Sequence, residues 1–587
     1  MQRKRPVGKI PNQPIDQLKE ELQPGETARQ GAKTLTSYRV AALPILDHFI
    51  QRLRLDDFLC DHLPSEDRRS RVPTATALVL LLKNLLISRE PLYGLGEWAS
   101  RYVPGLLGLS PDLLTALNDD RVGRSLDRLF DADIRSLTLA VVAHAVREFK
   151  VELSELHNDS TTVTFHGDYE SAEQERSLRG RIRLAVTHGH NKDHRPDLKQ
   201  LLYILTIAND GAVPVQFRVE SGNTTDDRSH QDTWKLLCEL SGRRDFLYVA
   251  DCKLATAENM AYIHQHGGRF LTVLPRTRGE DAAFRMRVRE GRVQWNPIHE
   301  KYEEGQHVDT YSIQQPEAAT TEGYRLIWYR SARKAQLDAE IRYKRLENAA
   351  KALSDLKAKL ASPRTRYRDR AKVAQAVETI LREAHAESML EVTIQEQTIE
   401  NFRQEQRGRP TPQTRYVKSE TTRFDLTWKL EYDLLVREAL CDGIFPLTTN
   451  DPHLSALELL LAYKQQPLIE KRFAQLKTDF VVAPVFLKEV SRIQALLCLY
   501  FFVLLVESLL ERELRQAMER KGLASIPLYP EGRSCRRPSA RRVIDLFEPI
   551  QCHELVIEEK REAFTTDLTK LQSKILRLLG IPKAYAN

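Results

Sequence analysis

Cysteine is sparse in this 587-residue chain: Cys60, Cys238, Cys252, Cys441, Cys498, Cys535 and Cys552 stand singly, an odd total with no C-x-x-C pair. That pattern excludes a disulfide framework and a structural zinc site and fits a reducing cytosol. Long apolar runs are missing too. The most apolar stretch, Ala495 to Val506, has 12 residues between Gln494 and Glu507, short of the roughly 20 a spanning helix needs, so a buried core helix is expected there. The basic start, Met1 to Gln13, has no apolar h-region, and no signal peptide is read. Charge of one sign is lacking: 88 Lys and Arg against 81 Asp and Glu leave +7. A polyanion site must therefore come from local clusters, not from the total. No internal repeat or long low-complexity tract is found.

What is present is enough apolar material, 42% of residues, for several cores; at about 150 residues per domain, three or four folded units are expected. Residues 1–33 are polar and lack periodicity, which predicts a flexible arm. From 34 to 150 apolar residues recur at helical spacing (Ala77, Leu78, Leu81, Leu82, Leu85, Leu86, then Leu126, Leu129, Phe130), predicting an all-α N-terminal unit. The period changes near Glu155. Short apolar runs at Leu156–Phe165, Gln200–Ala208, Ala212–Val219, Asp245–Ala250 and Gly268–Leu274 predict strands, with a helix over Ala255–Gln265. A mixed α/β sheet over 151–275 follows.

From 276 to 450 the pattern is polar strands around a basic helical pair. Ser331 to Glu383 carries 14 Lys and Arg against 7 Asp and Glu, either a solvated antiparallel pair or a face for DNA phosphates. Strand signals return at Glu391–Thr393, Phe424–Trp428 and Gly443–Thr448. Helices are predicted over Leu454–Tyr463, Leu468–Lys477 and Val490–Leu510, within a segment 451–515 that completes the sheet domain, and a further helical region is expected over 516–587.

Two carboxylates are out of keeping with their surroundings. Asp159 lies in the β-branched run His157-Asn158-Asp159-Ser160-Thr161-Thr162-Val163, and Asp251 ends the apolar strand Phe246-Leu247-Tyr248-Val249-Ala250. Strand-borne carboxylates can clamp a hard cation such as Mg²⁺, and two such ions about 3.5–4 Å apart can stabilise both the attacking and leaving oxygens of a phosphodiester. Glu470, on a predicted helix with Ile469, Phe473 and Leu476 on its buried side, is the candidate third ligand. Taken alone, each has an ordinary reading, as a turn residue or a surface ion pair.

The run Tyr463-x2-Gln466-x3-Glu470-x6-Lys477 resembles the Y-x2-R-x3-E-x6-K signature of DDE transposases from bacterial insertion sequences. Asp159 in Asn-Asp-Ser-Thr-Thr and Asp251 in Val-Ala-Asp-Cys-Lys-Leu-Ala-Thr resemble the two aspartate motifs of that group, and Gly189 to Gln200 is similar to a stretch between them. The resemblance spans roughly 150–510. It implies a ribonuclease-H-like mixed-sheet core interrupted by a large α+β insertion, an all-α N-terminal DNA-binding domain and a helical C-terminus. It implies catalytic and metal-binding roles for Asp159, Asp251 and Glu470, with two Mg²⁺ per site that Mn²⁺ can replace. The implied reaction is cleavage at the terminal inverted repeats of an element and transfer of the 3′-hydroxyl strand to target double-stranded DNA, by a homodimer in the DNA complex. The setting would be the bacterial cytoplasm, at the nucleoid.

Tyr463 and Lys477 match their motif positions and would hold the DNA end. Gln466 departs from the signature arginine and brings no charge to a phosphate. Lys471 and Arg472 flank Glu470 as further DNA contacts, as do Lys192, His194 and Arg195, where His188, His190 and His194 suit phosphate contact or solvation better than a metal. Arg407-Gly408-Arg409-Pro410 is similar to a minor-groove hook, but four residues read first as a plain flexible loop. Trp234, Trp295, Trp328 and Trp428 are expected in cores. Two rival functions stand beside transposition: a metal-dependent nuclease of the same core without strand transfer, and a non-catalytic transposase-derived DNA-binding protein.

Overall fold

A ten-stranded mixed sheet organises the chain. Along its path lie Pro214–Ser221, Lys199–Ala208, Glu155–Phe165, Leu247–Ala250, Arg269–Val273, Ile444–Thr449, Arg325–Ser331, Gln306–Gln314 and Trp295–Glu303, with Ala318–Ala319 beside Arg325–Ser331. The first three are antiparallel neighbours. Leu247–Ala250 then pairs parallel to Glu155–Phe165, and Arg269–Val273 parallel to Leu247–Ala250. The remaining pairings are antiparallel. This is a computed structural model describing residues 34–585 except 67–69, 168, 225–228, 304, 363, 483–486, 530 and 558–559; the arm expected over 1–33 lies outside the described residues.

The polar strands of 276–450 do not form a sheet of their own. Five of them extend the first sheet, because Ile444–Thr449 pairs directly with Arg269–Val273 through Leu447↔Val273, Thr448↔Thr272 and Thr449↔Leu271. What leaves the sheet is the helical pair, Ala332–Ala361 and Arg370–Ala384, and a hairpin of two 15-residue strands, Leu390–Gln404 and Tyr416–Leu430. Helices and hairpin base share a small core of Ala349, Leu353, Leu356, Val373, Phe424 and Leu426. The expected strands at 391–393 and 424–428 are only the anchored end of that hairpin, where apolar residues alternate.

The N-terminal helices share their core with the rest of the chain. Leu43–Arg52, Thr74–Ile87 and Asp119–Asp131 gather round Val490–Arg520, and their buried side chains form one continuous cluster with those of the sheet. Thirteen of the 14 residues of Thr74–Ile87 are buried, so this helix is enclosed on all sides rather than lying half in solvent. Val490–Arg520 is long and apolar enough to cross a membrane, but 94% of its most apolar 18-residue window is buried, as the core-helix reading expects. Phe501 stacks on Phe217 of the sheet at 4.8 Å between ring centroids.

The helical expectation for 516–587 needs correction. Ala540–Phe547 and Lys570–Leu578 are helices, but Gln551–Ile557 and Lys560–Thr565 form a hairpin between them. Gln551–Ile557 also pairs with Thr34–Arg39, a strand inside the stretch expected to be all-α. Each strand finds its hydrogen-bond partner in a distant segment, which local periodicity cannot reveal.

The helix Pro467–Val482 is pinned to Val490–Arg520 by a buried charge cluster. Arg472, 1% exposed, donates from Nε to the Ala212 carbonyl at 3.1 Å and from Nη2 to the Gly211 carbonyl and Glu511 Oε2, each at 3.2 Å. Lys471 and Arg515 also reach Glu511, and the Ala540 amide donates to it at 3.1 Å. Burial alone would raise the Glu511 carboxyl, but Arg472, Lys471 and Arg515 together hold it below its ordinary value. Removing one partner leaves an uncompensated charge in the interior. Arg472→Ala is expected to lower unfolding free energy by about 3–5 kcal/mol, read as a fall in the midpoint of urea unfolding.

Candidate active site

The parallel pairing between Glu155–Phe165 and Leu247–Ala250 runs from Glu155↔Leu247 to Asn158↔Ala250. One step further along both strands come Asp159 and Asp251, side by side where Leu247–Ala250 ends. Carboxyl ends of parallel strands are where open α/β sheets expose functional side chains. Both aspartates line one small recess with Ser160 and His230. The Asp251 carboxylate turns back to accept the Lys253 amide at 3.0 Å, and Thr272 Oγ1 donates to the Asp251 carbonyl at 2.6 Å. These bonds fix the chain as it leaves the strand.

The loop from Gly189 to Gln200 closes over this end of the sheet. It can approach because Gly189 and Gly222 lack side chains: a Cβ at Gly189 would stand 2.0 Å from the Gly222 carbonyl oxygen. Gln200 Nε2 donates to that oxygen at 2.8 Å, and Asn191 Nδ2 donates to Gln200 Oε1 at 2.9 Å. Asn191 Oδ1 accepts the amides of Asp193 and Arg195, at 2.8 and 3.1 Å, curling the loop. Lys192 is thereby aimed inward. Its Nζ donates to Ser160 Oγ at 2.6 Å and the Ser160 carbonyl at 2.7 Å, and stands 3.4 Å from Asp159 Oδ1.

Glu470 arrives on the next element. Ser455 opens Ala456–Tyr463 with a capping box closed by Glu458, and Pro467 opens Pro467–Val482, where its missing N–H costs nothing. Between them Gln466 reaches the sheet. Its Oε1 lies 2.8 Å from Nδ1 of the fully buried His157, whose Nε2 is 2.7 Å from Glu155 Oε1. His157 and Asp159 lie two apart on one strand, so this chain of bonds ties the helix carrying Glu470 to the strand carrying Asp159. Lys477 pairs with Asp193 of the loop, joining the same helix to Lys192.

The electrostatics bind these groups together. Burial pushes the Asp159 carboxyl up to about 6; the Lys192 ammonium opposes that rise, while the Asp251 charge adds to it. Tyr463, half-buried against Phe445, is pushed up to about 12 by burial and then by the charges of Asp251, Glu470 and Asp159. One phenol therefore feels all three carboxylates. Cys252 is raised by burial and by Asp251. Glu470 is exposed, and among the described residues no three His, Cys, Asp or Glu side chains stand close enough to hold one metal ion.

The other expected contacts divide. Lys192, Tyr463, Gln466 and Lys477 adjoin the site. His194 is exposed at positive φ in the loop, and the Arg195 guanidinium is held bidentate by Asp197 at 2.7 and 2.8 Å. Lys471 points to Glu511. Arg472, expected at DNA, is a correction: its guanidinium is buried in the cluster described above. Arg407 and Arg409 lie on the exposed turn of the long hairpin, in a different part of the fold. His157, Glu155 and Ser160 were missed as site residues. The one available signal was their place on the same strand: Glu155 and His157 share the face of Asp159, and Ser160 follows it directly.

A family model described as a domain of unknown function, DUF4277, matches residues 35–143, the N-terminal helical region. No curated protein matches the chain. Among solved structures, the chain is similar to a piggyBac transposase in a synaptic complex with hairpin DNA, at 9% identity and a TM-score of 0.24, over 49% of this chain. The match spans 59% of that transposase chain.

A carboxyl raised from 3.8 to about 6 in the folded state favours folding at low pH and loses that contribution as pH rises through 6. Asp159→Asn is therefore expected to stabilise the protein at about pH 8 by on the order of 1–3 kcal/mol, with the gain vanishing near pH 4. Thermal unfolding of both proteins across that range checks it.

Proposed function

We propose that this chain is a DDE-type DNA transposase with a ribonuclease-H-like core, which binds terminal inverted repeats, cleaves the element ends and joins the freed 3′-hydroxyl to target DNA. The observation that carries the reading is the register pair: Asp159 and Asp251, 92 positions apart in sequence, emerge side by side at one sheet edge. The third motif supports it through the bonds that tie its helix to this end of the sheet, Gln466 to His157 and Lys477 to Asp193.

The donor set fits a hard divalent cation: Asp159 and Asp251 offer oxygen ligands in one recess, where burial raises the Asp159 carboxyl and the Asp251 charge adds to the rise. Asp159, Asp251 and Glu470 would hold Mg²⁺ or Mn²⁺, two ions per site. Bound there, the ions would supply Lewis acidity at the phosphate. The protein groups then have distinct tasks. Above about pH 6 Asp159 is ionised. Lys192 offers positive charge beside it, placed to meet a phosphate oxygen. Tyr463 keeps its proton and can donate it in a hydrogen bond to the DNA strand, and Lys477 extends the positive edge. Gln466, with its carbonyl on His157, holds the helix instead of serving as the charged phosphate contact of the signature.

In cleavage a water oxygen bonds to phosphorus and the strand's 3′-oxygen leaves; in joining that 3′-hydroxyl attacks and a target oxygen leaves. Neither step needs a covalent bond to the protein. Two ends call for two active sites, hence a homodimer on DNA, acting at the bacterial nucleoid.

The test uses the purified protein with duplexes carrying the sequence that flanks its gene, and Mg²⁺. Asp159→Ala, Asp251→Ala and Glu470→Ala are each expected to reduce cleavage to background with DNA binding retained. Mg²⁺ is expected to raise the melting temperature of the unmodified protein at pH 8 but not that of Asp159→Ala. Cutting by Glu470→Ala removes that residue from the assignment, and nicking without joined product leaves a nuclease.

A further inference from the structure

The hairpin Leu390–Gln404/Tyr416–Leu430 is longer than its support. At its base Leu390, Phe424 and Leu426 are buried, with Val392, Ile394 and Trp428 packed beside them against the two helices. Beyond the Glu396↔Phe424 pair, eight further pairs run from Gln397↔Arg423 to Gln404↔Tyr416, and none of their residues is buried. At about 3.3 Å per residue the ribbon extends roughly 25 Å past its last anchored pair. A two-stranded ribbon with both faces in water is marginally stable by itself. Its pairing nevertheless continues without a bulge to the turn.

The charge at its end is one-sided. From Arg403 to Arg415 the chain carries four arginines, Arg403, Arg407, Arg409 and Arg415, against the single Glu405. All four are exposed, and among the described residues none has a carboxylate ion-pair partner. Lys418, one step nearer the base, is by contrast neutralised by Glu400 at 2.6 Å and Glu420 at 3.1 Å. Large apolar groups are interleaved with the free cations: Phe402 is 63% exposed, and Tyr416 and Val417 are 53% exposed each. Unpaired guanidinium groups on a narrow ribbon call for a polyanion with a groove.

We propose that this ribbon is a DNA-gripping arm, remote from Asp159 and Asp251, whose distal pairs enter the major groove of duplex DNA. Two strands about 4.8 Å apart match a groove about 12 Å wide, and the minor groove, about 6 Å wide, is too narrow for both. The arginines meet phosphates and guanine edges, and Phe402 and Val417 offer apolar contact to thymine methyl groups. The choice of duplex DNA as partner rests on the function proposed above; the arm as the place of contact does not.

The experiment compares the full-length protein with the quadruple variant Arg403→Ala, Arg407→Ala, Arg409→Ala, Arg415→Ala. Binding to a mixed-sequence duplex of about 40 base pairs is followed by fluorescence anisotropy over a range of salt. Loss of four phosphate-reaching charges is expected to weaken binding at least about tenfold and to reduce the slope of log K against log salt by about 3–4. Protection of guanine N7 from dimethyl sulfate should shrink by one segment. The four-lysine counterpart should keep most of the slope. An unchanged slope and footprint overturn the arm, as does a variant that binds normally but loses self-association, which would make a second copy the occupant. Failure of the catalytic reading has a different signature: Glu470→Ala would still cut while the arm's salt slope stayed as expected.

Discussion

Four residues of parallel pairing decide where Asp159 and Asp251 lie. Glu155 to Asn158 match Leu247 to Ala250 one for one, and the ladder stops there. A shift of one residue would move Asp159 to the other face of its strand, away from Asp251. The register is held from both sides: Lys199–Ala208 pairs with Leu156 to Phe165 on one flank, and Arg269–Val273 supports Leu247–Ala250 on the other. The near-continuous apolar runs of these strands suit a sheet covered on both faces, so a slip would bury polar groups along the entire length.

Around that pair the protein builds connections that are polar and internal. Gln466 to His157 to Glu155 links helix to sheet; Lys477 to Asp193 links helix to loop; Lys192 to Ser160 and Asp159 links loop back to sheet. Each element bearing a site residue is thus tied to the other two. Glutamine suits position 466 in this frame, because a neutral amide can meet His157 inside the fold, where an unpaired guanidinium would carry a desolvation cost.

The long chain segment between Asp251 and Glu470 does two separate jobs. Part of it widens the sheet, where Ile444–Thr449 pairs with the strand Arg269–Val273 beside the site. The rest projects as a helical pair and ribbon, with its own small core at the base and its cations at the tip. Within the 331–383 window Lys334 pairs with Asp338, Arg342 with Asp442, Lys357 with Asp425 and Arg370 with Glu396.

Local pattern determined the kinds of element and most of their positions: the strands from 155 to 273, the paired helices after 331 and the buried run within Val490–Arg520 all follow from apolar spacing, which depends only on neighbours along the chain. It also singled out Asp159 and Asp251, since a carboxylate among β-branched residues is conspicuous without knowing what it faces. Pairing was beyond its reach. That Thr34–Arg39 joins a strand near residue 551, that Ile444–Thr449 adds to the first sheet, and that Arg472 is enclosed rather than exposed depend on which distant segments meet. Backbone hydrogen bonds and buried charges are satisfied by proximity in space, and sequence distance carries no information about that. The tertiary structure alone decided which lysine faces Asp159 and which arginines face water.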